Sequence, residues 1–549
     1  MSSLTLREKV AQLVVISFNG HPMNTRSRDY RKFMRLVGQE HVGGLILVNV
    51  ANNRVTTKAD PLEVASFVNR MQKQAKVPLI VCGDFERGAS MRVDATTAFP
   101  HAMAFTASRD PGEARLEGEI TAKEARAIGV QWVFFPDADV NNNPDNPIIN
   151  IRSYGEDPGE VSKFVSAYIE GAHSVAGSRV LVTAKHFPGH GDTATDTHMN
   201  LATISGDRPR LEQTEWAPFR AAIASGVDAI MTAHIAVPAL DAPNLPATLS
   251  PKILTGVLRD EFGFKGIVVT DALDMGGIAG GFPVGDAAVR ALEAGADVLL
   301  MPTDPEAAIN AVVAAVRSGR IKQKRLDESV MKILQAKVRV GLGTKKLVDV
   351  DDIHDVVNSP ESAAAAQEIS DKSVTLVKNE GGFVPLKNTD STAFYLLAES
   401  RTGTEGQALA AELKKRAPNA LVIPVDPTMS DADLDAAAQR GAQASRYVVA
   451  AFASVAAYKG NVLAGGYPQL MQNLLTTKKP VALIALGNPY LLRAFPDSAA
   501  YLTTYSSVPV SEISIAKALF GEIAISGRLP VTIPGLAKYG DGIAVAASK

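Results

Sequence analysis

The sequence predicts an α/β protein in which a closed (β/α)8 barrel is followed by a smaller α/β sandwich domain. Three observations carry that prediction. Eight short, β-branched apolar runs recur between Leu13 and Pro302, with helical stretches between them. Polar residues able to do chemistry stand at the C-terminal ends of these runs instead of being scattered. The alternation then stops at a polar, turn-rich segment and restarts, in a chain whose 549 residues exceed what one hydrophobic core organises.

The chain opens with Leu4-Thr-Leu-Arg-Glu-Lys-Val-Ala-Gln-Leu, an amphipathic helix pattern. The apolar runs follow at Leu13–Phe18, Gly44–Val48, Pro78–Asp84, Trp132–Pro136, Val180–His186, Ala229–His234, Gly266–Asp271 and Asp297–Pro302. Their near-continuous apolar character suits parallel strands covered on both faces. Stretches rich in Ala, Glu and Arg predict helices over Pro111–Ile128, Pro158–Val175, Leu211–Ser225 and Asp286–Ala294. The spacing leaves room for long loops after the third, fourth and fifth strands. Helices near Asp304–Ser318 and Leu326–Val340 complete the barrel, and the polar stretch Gly341–Pro360 reads as a connection. The expected division is therefore a barrel over 1–343, a linker over 344–365 and a second domain over 366–549. In that domain strands are expected near Val374–Val377, Phe394–Leu397, Ala420–Pro424, Tyr447–Phe452, Val481–Leu486 and Tyr501–Thr504. Helices such as Gly406–Lys415 and Ser511–Leu519 intervene.

Composition narrows the function. A formal net charge of −2, with no basic stripe, argues against nucleic acid and against anionic lipid as partners. No apolar run reaches the roughly 18 residues a membrane span requires. The single cysteine, Cys82, follows Leu79-Ile-Val and reads as a buried strand residue; alone it supports neither an intrachain disulfide nor a thiolate metal cluster. The opening stretch lacks the charged-then-apolar layout of an export signal. Composition leaves the compartment open between the cytoplasm and an exported form.

The densest group of reactive side chains is Lys185-His-Phe-Pro-Gly-His-Gly-Asp-Thr-Ala-Thr-Asp-Thr-His198, which holds three of the nine histidines. Lys185 and His186 end the fifth strand. The rest forms a loop above the rim where this fold carries its active sites. Asp196 lies just before His198, and a carboxylate beside an imidazole orients the ring and stabilises its charged form. That pair suits a general acid/base near neutral pH. Asp271 ends the seventh strand, so its carboxylate projects into the barrel mouth as a candidate nucleophile, the alternative being a cap on the next helix. Asp84 and Arg92 add rim groups after the third strand, and Arg152 stands in the long loop after the fourth. Trp132 and Trp216 read as packing residues rather than sugar platforms.

Together these segments resemble glycoside hydrolase family 3, in particular its β-N-acetylglucosaminidase branch. The stretches that carry the resemblance are Asp84-Phe-Glu-Arg-Gly…Arg92, Asn142-Asn-Pro…Arg152-Ser, Lys185–His198 and Val268-Val-Thr-Asp-Ala-Leu-Asp-Met275. Ser373-Val-Thr-Leu-Val-Lys-Asn and Gly527-Arg-Leu-Pro-Val-Thr-Ile-Pro look like that family's second domain. The resemblance implies Asp271 as nucleophile, His198 as acid/base and Asp196 as its partner. It implies Asp84, Arg92, Arg152, Lys185 and His186 as the groups that hold the sugar's hydroxyls, with His190 and His234 in supporting places. It also implies no cofactor and no metal. One departure is Arg87, where many relatives carry glycine; it adds bulk and charge at that edge of the pocket.

The expected reaction is retaining, exo-acting removal of terminal N-acetylglucosamine from peptidoglycan- or chitin-derived saccharides, through a covalent glycosyl-enzyme. Two alternatives use the same residues. A neutral imidazole does not repel an anionic acceptor, so phosphate can replace water and give a phosphorylase. A β-glucosidase or β-xylosidase specificity is the other. A rival chemistry would gather His186, His190, His198, His234 and Asp271 around zinc; the first strand lacks the paired histidines that such barrels often carry. A non-catalytic sugar-binding barrel would need this constellation broken.

Overall fold

A computed structural model of the chain describes residues 3–21, 23–52, 55–387, 389–455 and 463–548. The barrel strands are β1 (Val14–Phe18), β2 (Gly44–Leu47), β3 (Ile80–Gly83), β4 (Trp132–Val133), β5 (Leu181–Phe187), β6 (Ala229–Thr232), β7 (Ile267–Val269) and β8 (Leu299–Leu300). They run β7-β6-β5-β4-β3-β2-β1-β8 around one sheet, every pair parallel. A parallel bridge between Val269 and Val298 joins the two ends, and the Thr270 amide donates to the Val298 carbonyl at 3.0 Å, so the ring closes. The predicted barrel is thus the observed one. Several strands are shorter than the apolar runs that announce them. β4 pairs over two residues, and its bonding to β5 resumes beyond Pro136 in a parallel bridge between Asp137 and Lys185.

Asp-Pro pairs start four of the surrounding helices. Asp60, Asp110, Asp157 and Asp304 each accept a hydrogen bond from an amide of the first turn, and the proline after each occupies a position whose N–H has no helical partner. The helix expected over Leu211–Ser225 is two helices, Arg208–Gln213 and Ala217–Ala224. Pro218 cannot donate to the preceding turn, and buried Trp216 packs into the break. Trp132 and Cys82 are also buried, as the sequence suggests. The connecting stretch is pinned to the barrel by Asn69, which exchanges two hydrogen bonds with Val348, and by Glu124, which accepts from the Asn358 amide. A helix over Pro360–Ser373 then runs across the expected 365/366 boundary.

The second domain is a six-stranded sheet of β9 (Thr375–Asn379), β10 (Thr392–Leu397), β11 (Leu421–Val425), β12 (Arg446–Ala453), β13 (Val481–Gly487) and β14 (Ala500–Thr503). Its order is β9-β14-β13-β12-β10-β11, with β9 antiparallel to its neighbour and the rest parallel. Apolar layers cover both faces. One of them takes in Met103, Ala104, Ala107 and Ile151 of the barrel, so the domains share core. Polar ties join the same surfaces. Asn141 donates to the Tyr490 hydroxyl at 3.0 Å, Arg493 pairs with Asp145 at 2.6 Å, and His101 meets Ser506 at 2.8 Å. The long loop after β4 is therefore clamped between barrel and sandwich. Among the described residues no helix is long and apolar enough to cross a membrane.

Candidate active site

The residues singled out from the sequence lie at the C-terminal ends of barrel strands or in the loops that follow. They fall into two groups facing one another. On the β3 side, Asp84 pairs with Arg92 at 2.8 Å and with Lys185 at 3.1 Å. Glu86 takes Lys185 at 2.6 Å and receives two bonds of 2.8 Å from the Arg152 guanidinium. Asp137 lies 3.4 Å from Arg152 and 3.8 Å from Lys185, fully buried and with neither oxygen hydrogen-bonded. Burial opposes every one of these charges, but the mutual pairing wins for most. Glu86 is held well below the usual carboxylate range by Arg152 and Lys185, and Lys185 is raised by Glu86, Asp84 and Asp137. Asp137 is the exception: burial and the neighbouring Glu86 push it up to about 7.

His186 sits between the groups. Its Nδ1 bonds Asp139 at 2.8 Å, and Asp139 also accepts from the backbone amides of His186 and His190. Burial lowers the imidazole, and Asp139 more than reverses that, so His186 is raised above an ordinary histidine.

On the far side, burial pushes the Asp271 carboxyl up. The His186, His234 and His198 imidazoles and the Ala272 amide, 2.8 Å away, more than offset this and hold it below its ordinary value. Asp271 is therefore ionised throughout the neutral range. The His198 ring donates from Nδ1 to Asp196 at 2.8 Å, and its backbone amide donates to the same oxygen at 2.9 Å. The loop carrying this pair is braced internally by His190, whose ring spans Thr193 at 2.7 Å and Thr197 at 3.0 Å. It is also stitched directly to the loop after Asp271. The Gly276 amide donates to the His198 carbonyl and the Gly277 amide to the Thr197 carbonyl, both at 3.0 Å. A Cβ at Gly276 would lie 2.4 Å from the Met199 carbonyl oxygen, so only glycine permits the two loops to approach so closely. His234 turns its Nε2 to the Ala272 carbonyl at 2.9 Å and its Nδ1 to Thr248 at 2.8 Å.

Three members of this constellation escape the sequence reading as site residues: Glu86, Asp137 and Asp139. The signal was present. Asp137 and Asp139 follow an apolar strand just as Asp84 and Asp271 do. The zinc alternative does not assemble, because the rings of His190 and His234 are turned to threonines and a backbone carbonyl. Asp137, Asp139 and His186 do offer ligand atoms within 4.8 Å of one another. A cation there would have to displace the His186–Asp139 bond and tolerate Lys185 and Arg152 beside Asp137.

A carboxylate and an oriented imidazole stand opposite a wall of paired charges at the mouth of a (β/α)8 barrel, the end at which this fold carries active sites. The chain belongs to glycosyl hydrolase family 3: residues 5–336 match that family's N-terminal domain and residues 374–544 its C-terminal domain. Among solved structures it is similar to a family 3 β-N-acetylglucosaminidase from Paenibacillus sp. str. FPU-7, with 33% identity, a TM-score of 0.86 and coverage of 97% of this chain and 99% of that one. It is 29% identical over 523 residues to a β-N-acetylglucosaminidase/β-glucosidase of Cellulomonas fimi, covering 89% of this chain and 88% of the relative. To β-hexosaminidase A of Pseudoalteromonas piscicida it is 29% identical over 558 residues, covering 91% and 90%. The protein is a glycosidase.

Proposed function

We propose that this glycosidase is a retaining, exo-acting β-N-acetylglucosaminidase that works through a covalent glycosyl-enzyme. Asp271 is the nucleophile, and its environment suits the task, since a carboxylate kept ionised can attack the anomeric carbon at neutral pH. His198 protonates the departing oxygen and then, as a neutral imidazole, activates the incoming water. Asp196 holds the ring by Nδ1, so proton exchange falls to Nε2. Asp84, Arg92, Arg152, Lys185 and His186 bind the hydroxyls, with Glu86 holding Arg152 and Lys185 and Asp139 holding His186 in place. Removal of terminal residues requires the charged wall of Glu86, Arg152 and Lys185 to close the site behind a single sugar.

The observation that carries this reading is the direct backbone coupling of the His198 loop to the Asp271 loop, which keeps acid/base and nucleophile in register. The similarity to proteins named as β-N-acetylglucosaminidases and hexosaminidases favours N-acetylglucosamine from peptidoglycan or chitin fragments as the glycone. The test is a panel of nitrophenyl N-acetylglucosaminide, glucoside and xyloside, followed by NMR of the first sugar released. Preference for the N-acetylglucosaminide with the β-anomer appearing first is expected; an α-anomer would refute retention. Because the acid/base is an imidazole rather than a second carboxylate, phosphate can approach the intermediate, and the panel is repeated in phosphate buffer. Accumulation of sugar 1-phosphate would assign a phosphorylase.

A further inference from the structure

Beside the candidate site stand two cations that carboxylates reach only through the field, not by direct pairing. Lys58 and Arg87 are half-buried, and among the described residues neither forms an ion pair or a side-chain hydrogen bond. Both lie next to Arg92. Ala59 and Val93 form a parallel bridge, with the Ala59 amide on the Arg92 carbonyl at 3.0 Å and the Asp94 amide on the Ala59 carbonyl at 2.9 Å, which puts Lys58 and Arg92 at neighbouring register positions. Arg87 belongs to the same loop as Arg92. Burial and the Arg87 charge push Lys58 down to about 8 against the opposing pull of Asp94, while burial and Arg92 push Arg87 down to about 10 against that of Glu86. One terminal nitrogen of Arg92 holds Asp84, but its buried Nε has no partner.

Two of the nearby carboxylates are already committed, Glu86 to Arg152 and Lys185 and Asp84 to Lys185 and Arg92, and Asp94, exposed to solvent, only partly offsets the burial of Lys58. No Asp or Glu side chain occurs outside the described residues to supply the missing charge. Leaving several like charges together, partly desolvated and unpaired, costs free energy that an arriving anion would recover.

Position tells which part of a substrate could bring that anion. β3 and β7 stand opposite one another in the eight-membered ring. With the anomeric carbon at Asp271, after β7, the far pole of a pyranose points at the loop after β3, and that pole is C4 with the C6 arm. We propose that Lys58, Arg87 and Arg92 form an anion subsite for a phosphoryl group on the C6 arm of the bound sugar, making a 6-phosphorylated glycoside the favoured substrate. The assignment rests on Asp271 facing the anomeric carbon. A phosphate monoester carries about −1.5 to −2 charges at pH 7, which matches two unpaired cations and the open edge of a third better than a single carboxylate would.

The test is calorimetry of the full chain with N-acetylglucosamine, N-acetylglucosamine 6-phosphate and glucuronic acid. The 6-phosphate should bind at least roughly tenfold more tightly than the neutral sugar, about 1.4 kcal/mol. Arg87→Gln and Lys58→Gln should each remove most of that margin while moving neutral-sugar affinity far less. Equal or weaker binding of the 6-phosphate, or a margin that survives both substitutions, overturns the subsite; tighter binding of glucuronic acid overturns the phosphoryl assignment. Turnover of the neutral nitrophenyl N-acetylglucosaminide is read separately, so loss of the parent reading is distinguishable from loss of this one.

Discussion

At the N-terminal end of the barrel, Asp297 accepts from Arg259 at 2.6 Å, Lys332 at 3.0 Å, Arg325 at 3.3 Å, Ser329 at 2.5 Å and the Val268 amide at 3.0 Å. Asp228 there is held in the same way by His173, Arg339, Arg179 and the Val182 amide. At the other end, among the described residues, the hydrogen bond to Asp271 comes from the Ala272 amide alone, and Asp137 accepts none. All four carboxylates stand at the edges of barrel strands, yet they do different work. A carboxylate whose lone pairs are all taken fastens neighbouring elements together. Asp271, kept ionised by nearby imidazoles and with bonding capacity to spare, is held ready for a partner from solution, whereas buried Asp137 is pushed up to about 7 by burial and Glu86. Natural proteins tolerate such unsatisfied groups chiefly at functional sites.

Substituting the two kinds of carboxylate should separate these roles. Asp271→Asn is expected to lower kcat/KM for an aryl N-acetylglucosaminide by roughly 10⁴-fold, on the scale seen when a nucleophile is removed, with little change in the urea midpoint. Asp297→Asn should do the reverse. It leaves three cations facing a neutral amide in the interior and should cost about 3–5 kcal/mol of stability, while the folded fraction keeps its kcat. Should Asp271→Asn unfold the protein as readily as Asp297→Asn, the distinction between fastening and waiting carboxylates is lost.

His198→Ala sharpens the comparison on the catalytic side. Unactivated aglycones need protonation as they leave and should lose about 10²–10³-fold, whereas nitrophenyl leaving groups should lose much less. Equal losses, measured across a series of aglycone pKa values, would remove His198 from the acid role.

The smallest effect concerns a cation at the quiet end. Lys337 is buried, among the described residues its ammonium donates only to the Gln12 side chain at 2.7 Å, and burial pushes it down to about 7. The folded state thus binds this proton less tightly than the unfolded chain, whose lysine titrates near 10.4. Stability should therefore rise as pH increases from about 7 towards 10. Lys337→Met removes that rise and should stabilise the protein by about 1–3 kcal/mol at pH 6, after the cost of leaving the Gln12 oxygen unpaired. Thermal melts of both proteins across this range would check it; parallel curves would mean that Lys337 keeps its charge at no penalty.

What the sequence by itself determined was whatever depends on neighbours along the chain. Apolar runs of strand length, helices begun by Asp-Pro and polar residues at strand ends announced the barrel, its rim and the sandwich. The motif from Lys185 to His198 likewise brought Asp196 to His198, which are near one another in any fold. Tertiary structure alone decided which charges are spent. Glu86 and Lys185 lie far apart in sequence yet 2.6 Å apart in space, and nothing local distinguishes Asp137, without a hydrogen bond, from Asp139, bonded to His186. The break at Trp216 and the burial of Lys337 on an otherwise amphipathic helix belong to the same class. Periodicity records which way a side chain points, whereas ionisation and pairing depend on distances set only when distant strands close into a ring.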